Sequence, residues 1–249
     1  MKLETKIEKL EIGTNILDIT VPEQLKKRIE TGIEYFDDAL GGKGFTPSMV
    51  TLFTGTPGAG KTTMMLELAN SLTAKGNVVL FNTAEESLYQ LKMTVERLGL
   101  GAGFLAGQET SVPTLLKNCK IIMDQNPDKQ FFLIVDSLQC LNDGKYGDHN
   151  TNSKTAQRSL QMITDFCKEH YCNSIVIGQV TKSGKMAGAN VLKHMVDSML
   201  TLDIEMKEQE LLGCRVLAVE KNRFGGCGHV FMLTLKEKGF SEFCRMSLS

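Results

Sequence analysis

The stretch GTPGAGKT, residues 55–62, puts three glycines and a proline into eight residues and then runs into the apolar, helix-patterned TMMLELANSL at 63–72. Its spacing is G-x-x-x-x-G-K-[ST], and the apolar run MVTLF at 49–53 precedes it, so a strand leads into the motif and a helix leads out. Glycine lets the backbone fold tightly and turn its N–H groups inward onto phosphate oxygens, while the following helix adds its positive end. The pattern predicts an ATP cradle made of Gly55, Thr56, Pro57, Gly58, Ala59, Gly60, Lys61, Thr62 and Thr63. Within it Lys61 is expected to reach the β and γ phosphates and the Thr62 hydroxyl to ligate Mg2+. A glycine-rich turn with no ligand is the plainer alternative.

Two acidic positions extend the prediction. FFLIVD at 131–136 is an apolar strand ending in Asp136, at the edge where open α/β sheets bind ligands, so Asp136 is expected to hold the magnesium ion directly or through water. An aspartate in that place can also cap a helix. Hydrolysis needs a group that positions or deprotonates water, and NTAEES at 82–87 supplies Glu85, the expected base, with Glu86 as a helix-start charge favoured by the helix dipole.

The 249 residues suffice for one sizeable core, and 42% hydrophobic with 23% charged residues is an ordinary globular composition. No apolar run approaches a membrane span, and the leading MKLETKIEKLEIG lacks the apolar centre of a secretory signal, so a soluble, cytoplasmic chain without a membrane partner is expected, bacterial or of a bacteriophage in its host. Seven scattered cysteines with no CxxC pair argue against a disulfide framework or a zinc knuckle. A net charge of −1 provides no overall basic field, so any nucleic-acid contact has to come from local lysine and arginine clusters.

Residues 1–28 read as a leading arm and 29–249 as one core. In the core, apolar runs (MVTLF, NVVLF at 77–81, FFLIVD, SIVIG at 174–178) alternate with helical patterns from Lys61, over 86–98, and over 153–170. Continuous apolar strands separated by helices predict an α/β fold with a mostly parallel central sheet flanked by helices. In the tail, MLTLDIE, GCRVLAVEKN and HVFMLTLKE follow one another across short turns, which predicts antiparallel strands at the C-terminal edge.

Taken together, RIETGIEYFDDALGG (28–42), GTPGAGKTTMMLELA (55–69), EESLYQLKMTVERLGL (85–100), FFLIVDSLQ (131–139), QVTKSGKMAGANVLKHMVDSML (179–200) and RVLAVEKNRFGG (215–226) resemble the RecA-like P-loop ATPases, most closely the ATPase core of the RadA (Sms) family. The fifth segment and KNRFG at 221–225 are the most specific. The resemblance implies a DNA-dependent ATPase of recombination or repair, assembled as a hexameric ring or filament on single-stranded DNA, with ATP hydrolysed at subunit interfaces. It implies that Gln179 senses the γ-phosphate and opens a DNA-contacting loop bearing Lys182 and Lys185. NDGKYGDHNTNSK at 142–154 matches the position of a second such loop, with Lys145 and Tyr146 as phosphate and stacking contacts, although Asp143 and Asp148 dilute its charge. Lys221 and Arg223 match positions that reach a neighbour's γ-phosphate; a salt bridge to an edge strand or a DNA contact is the alternative. A recombinase or single-strand-binding protein is a further partner that the resemblance implies.

The family's zinc module and Lon-like domain have no counterpart in this sequence, which is similar in that respect to short RecA-like proteins of bacteriophages, and Lys193 stands before His194 where the family usually has Glu. A replicative motor of the DnaB type and a KaiC-like regulatory ATPase acting through protein partners are the alternative readings.

Overall fold

The protein is described from a computed structural model covering residues 12–145, 153–179 and 189–247. After two short 3-10 turns at Ile16–Asp18 and Glu23–Leu25, the core begins where Ile29 bridges Phe45. The elements then run α1 (Glu34–Ala39), β1 (Val50–Gly55), α2 (Lys61–Ala74), β2 (Val78–Thr83), α3 (Leu88–Leu98), β3 (Leu105–Gly107), α4 (Val112–Gln125) and β4 (Phe131–Asp136). They continue with α5 (Ser153–His170), β5 (Asn173–Ile177), α6 (Ala189–Met195), β6 (Ser198–Ile204), β7 (Arg215–Asn222), β8 (His229–Lys236) and β9 (Gly239–Ser247).

One nine-stranded sheet has the order β3-β2-β4-β5-β1-β6-β7-β8-β9. The pairs from β3 to β6 are parallel, and those from β6 to β9 are antiparallel. Side chains alternate between two cores. Phe53, Phe81, Phe132 and Ile177 face the layer with α2, whereas Leu52, Leu80, Leu133 and Val176 face the layer with α4 and α5. Burial on both faces is why the parallel strands read as continuous apolar runs.

The expected mixed sheet is the observed one, with differences at its margins. Strand β6, read from sequence as the first of an antiparallel set, is parallel to β1 on its other side, so it joins the two halves. Helix α3 starts at Leu88 rather than Glu86, because Ser87 forms a capping box with Gln90 and Glu86 lies outside the helix. Three elements carried no readable period: α1, the three-residue edge strand β3, and α6, whose Ala189 and Asn190 belong to a segment read as loop. All are too short for a periodic signal to emerge.

Phe45 joins the core below the P-loop strand, fully buried, with its ring 6.0 Å from Phe36 and 5.3 Å from Phe132. Phe45→Ala is expected to cost about 3–5 kcal/mol, visible as a lower urea midpoint with little change in slope.

Candidate nucleotide site

The sheet register gathers the site at one edge. Phe53 lies opposite Ile177, Thr83 opposite Asp136, and Gly55 opposite Leu202, so the chain leaves β1, β2, β4 and β5 side by side at their carboxyl ends. Just beyond those ends stand the P-loop, Glu85, Asp136 and Gln179. With Leu235 of β8 they line one cleft of about 410 Å3.

Within the P-loop, Gly58 and Gly60 have φ of 80° and 101°, which a residue with a side chain rarely adopts. Gly60 caps the amino end of α2. Lys61 folds back so that its Nζ donates to the carbonyls of Gly55 (2.9 Å) and Thr56 (3.0 Å). Burial lowers its pKa, while the nearby Asp136, Glu85 and Asp203 act to raise it. Thr62 Oγ1 donates to Asp136 Oδ2 at 2.6 Å, which joins two hard oxygen donors of the kind that Mg2+ selects. These two residues fit the ion and would hold it.

Asp136 is buried, and its carboxyl is pushed up to about 6, chiefly by that burial. The Thr62 hydrogen bond and Lys61 oppose the shift; Glu85 and Glu86 reinforce it. Glu85 is exposed at the cleft mouth, where Gln179 Nε2 donates to its Oε1. Gln139 in turn braces Gln179, its Oε1 accepting from the Gln179 amide (3.2 Å) and its Nε2 donating to the Gln179 carbonyl (3.4 Å). Sequence reading left Gln139 without a role, since nothing in FFLIVDSLQ marks which polar residue folds back toward β5.

Three further residues touch the P-loop from the antiparallel half and were not singled out. Asp203 of β6 accepts from the Thr56 amide at 3.0 Å, Arg215 Nε of β7 donates to the Ala59 carbonyl at 3.0 Å, and Leu235 lines the cleft. Asp203 stands 147 residues from its contact and Arg215 156, so no local signal could find them.

Lys221 and Arg223 do not join this cleft. Lys221 lies opposite Met199, and Arg223 sits at Asp197, next to the start of β1 and about 16 Å along that strand from Gly55. Lys221 Nζ donates to the carbonyls of Lys193 and Val196, both at 2.7 Å, at the end of α6. Arg223 Nη1 meets Asp197 Oδ1 at 3.1 Å, an ion pair within the subunit made at the start of the interior strand β6 and not to an edge strand. Lys193 pairs with Glu220 at 3.7 Å.

Lys145 is exposed, its amide donating to Asp143 Oδ1 at 3.1 Å. Asp143 is buried and paired with Arg158, so it does not dilute surface charge at that loop as the sequence implied. Tyr146, Asp148, Lys182 and Lys185 lie outside the described residues.

A family model described as ATPase: KaiC matches residues 29–108. The DNA repair protein RadA of Aquifex aeolicus is 32% identical over 217 residues, 87% of this chain and 46% of the relative. That of Escherichia coli (strain K12) is also 32% identical, over 86% of this chain and 44% of the relative. Among solved structures, one described as an ATPase domain superposes with a TM-score of 0.76 at 15% identity, over 89% of this chain and 93% of that one. Over most of its length the chain is similar to the DNA repair protein RadA, and its fold is that of the solved ATPase domain. It spans about half the length of the curated relatives it matches, and the likeness to the solved ATPase domain is one of fold. In this chain the P-loop, Asp136 and Glu85, read from spacing and strand ends, and Gln179, taken from the resemblance, line the same cleft.

The raised Asp136 predicts a pH effect. Its folded pKa lies above the unfolded value near 3.8, so its favourable contribution is complete below about pH 4 and is lost as pH rises through about 6. Asp136→Asn is expected to raise the melting temperature of nucleotide-free protein at pH 7.5, by an effect on the order of 2 kcal/mol, and the gain should shrink at pH 5. Calorimetric melting at the two pH values checks this; an equal gain at both would remove the titration of Asp136 as its cause.

Proposed function

We propose that this protein is a DNA-coupled ATPase of recombination or repair, working as a homo-oligomer that hydrolyses ATP with Mg2+ at its subunit interfaces. The observation that carries the reading is the convergence of Lys61, Thr62, Asp136, Glu85 and Gln179 on one cleft. The cradle of backbone amides and Lys61 would hold the phosphates, and Thr62 with Asp136 would hold the magnesium ion, which would draw charge from the phosphate oxygens. Glu85 is the proposed base. The hydrogen bond from Gln179 engages its Oε1 and leaves Oε2 to accept a proton from water.

Gln179 also starts the chain segment toward Lys182 and Lys185, proposed with Lys145 and Tyr146 as contacts to single-stranded DNA. The hydrogen bond between Gln179 and Glu85 then connects that segment to the base. The relatives named DNA repair protein RadA support this choice over a regulatory ATPase that works through protein partners. A recombinase or a single-strand-binding protein is the proposed accessory partner.

Assembly is supported by geometry. The cleft and the pair Lys221–Arg223 lie at opposite ends of β1 and β6, and a head-to-tail contact joins unlike surfaces of identical subunits. Arg223 and its neighbour Phe224 are both substantially exposed there. In the assembly Arg223 would exchange its Asp197 pairing for a neighbour's phosphate, where a guanidinium fork neutralises growing charge. The arm, with Ile16 and Leu17 exposed at 76% and 87%, is proposed as a subunit linker.

Steady-state ATPase measured with and without single-stranded DNA tests the coupling, with Lys61→Ala and Glu85→Gln as blanks. DNA is expected to stimulate turnover several-fold, Lys61→Ala to lose nucleotide binding, and Glu85→Gln to bind but not turn over. A rate indifferent to DNA would favour the regulatory reading. Mixing Arg223→Ala with Lys61→Ala subunits tests catalysis across the interface: partial recovery of activity is expected, and none at any ratio counts against it.

A further inference from the structure

The antiparallel half of the sheet touches the P-loop at successive points. Asp203 on β6 accepts from the Thr56 amide, and Arg215 on β7 donates to the Ala59 carbonyl, each at 3.0 Å. Leu235 on β8 and Phe240 on β9 close over Gly60, where a Cβ would come within 2.8 Å and 2.9 Å of their side chains. The Phe240 amide is in turn held by both carboxylate oxygens of Glu67, one turn along α2 from Thr63, at 3.0 and 3.3 Å. Each of the four strands thus meets the motif or the helix that issues from it.

Asp203 is the unexpected member. Its carboxylate lies close enough to Lys61 to act on the Lys61 pKa. An anion beside a triphosphate site opposes binding by simple Coulomb repulsion. Its hydrogen bond supplies the compensating benefit, because it accepts from the first residue after Gly55 and fixes where the loop leaves the strand. Arg215 does the corresponding task at Ala59, with its other donor arm on the Gly213 carbonyl, so the loop is pinned on both sides of its apex. A cradle whose amides already converge loses less conformational freedom when phosphate arrives.

We propose that Asp203, together with Arg215, is a positioning residue for nucleotide binding: it fixes the P-loop at the Thr56 amide as Arg215 fixes it at the Ala59 carbonyl. This rests on the nucleotide reading of the P-loop. Asp203 is the discriminating residue because the two roles predict opposite signs. Removing a mere anion should tighten binding of a phosphate ligand, whereas removing a positioning acceptor should weaken it.

The test is isothermal titration calorimetry of the full chain with ADP and Mg2+ for wild type, Asp203→Ala, Asp203→Ser and Asp203→Asn, with Lys61→Ala in parallel and thermal melts of each nucleotide-free protein. The alanine and serine variants, both unable to reach the Thr56 amide, should bind ADP about tenfold more weakly, a loss of about 1.4 kcal/mol. Asparagine, which keeps an acceptor oxygen in the same place without the charge, should remain within about threefold of wild type. If one truncation does not fold, the other carries the comparison. Unchanged or tighter ADP binding in a folded truncation overturns the proposal, and so does asparagine failing as alanine fails. Wild-type protein that does not bind ADP, or Lys61→Ala that binds it equally well, overturns the nucleotide reading itself and this inference with it.

Discussion

The last residue of strand β1 leaves no room for a side chain, and much of the site follows from that. Gly55 has a φ of 151°, and a Cβ there would lie 1.9 Å from the Leu202 carbonyl oxygen of β6. Only glycine lets β1 and β6 stay paired up to the point where the P-loop departs. That pairing also sets the position of β7, hence of Arg215 near the loop and of Lys221 and Arg223 at the far end of the same strands. One close backbone contact therefore links the phosphate cradle to the residues proposed to serve a neighbouring subunit.

The electrostatics of the nucleotide-free site are unbalanced in an informative way. One lysine faces Asp136, Glu85 and Asp203, and burial raises Asp136 while lowering Lys61. A buried carboxylate whose pKa is raised by its surroundings and a lysine resting on carbonyl oxygens are groups that lack their natural counter-charges. A divalent cation and a polyphosphate would supply both, and the Thr62 hydroxyl already bonded to Asp136 would exchange a proton-donor role for a ligand role.

Legibility of the fold followed burial. The parallel strands β1, β2, β4 and β5 and the long helices α2 and α5 could be read because burial on both faces of the sheet, or a sustained helical period, leaves a signal in consecutive residues. FFLIVD and Phe131–Asp136 coincide, as do the expected and observed bounds of α5. Short edge pieces such as β3 and α6 left none. Among site residues, Lys61, Thr62, Asp136 and Glu85 were visible because each stands at a fixed offset from a strand end. Gln179 needed the family resemblance, and the antiparallel strands needed the register before their part in the site could be seen.

By itself the sequence determined the presence of a P-loop motif, the α/β class, and the acidic residues at the strand ends, since these depend on spacing along the chain and on the backbone freedom of glycine. Tertiary structure alone decided that Asp143 is neutralised by Arg158, that Lys221 and Arg223 stand away from their own cleft, and that Asp203 and Arg215 hold the P-loop. Those are contacts between residues far apart in the chain. Their existence depends on which strands become neighbours and in what register, and hydrophobic patterning specifies which face of a strand is buried without specifying which polar atoms meet at its ends.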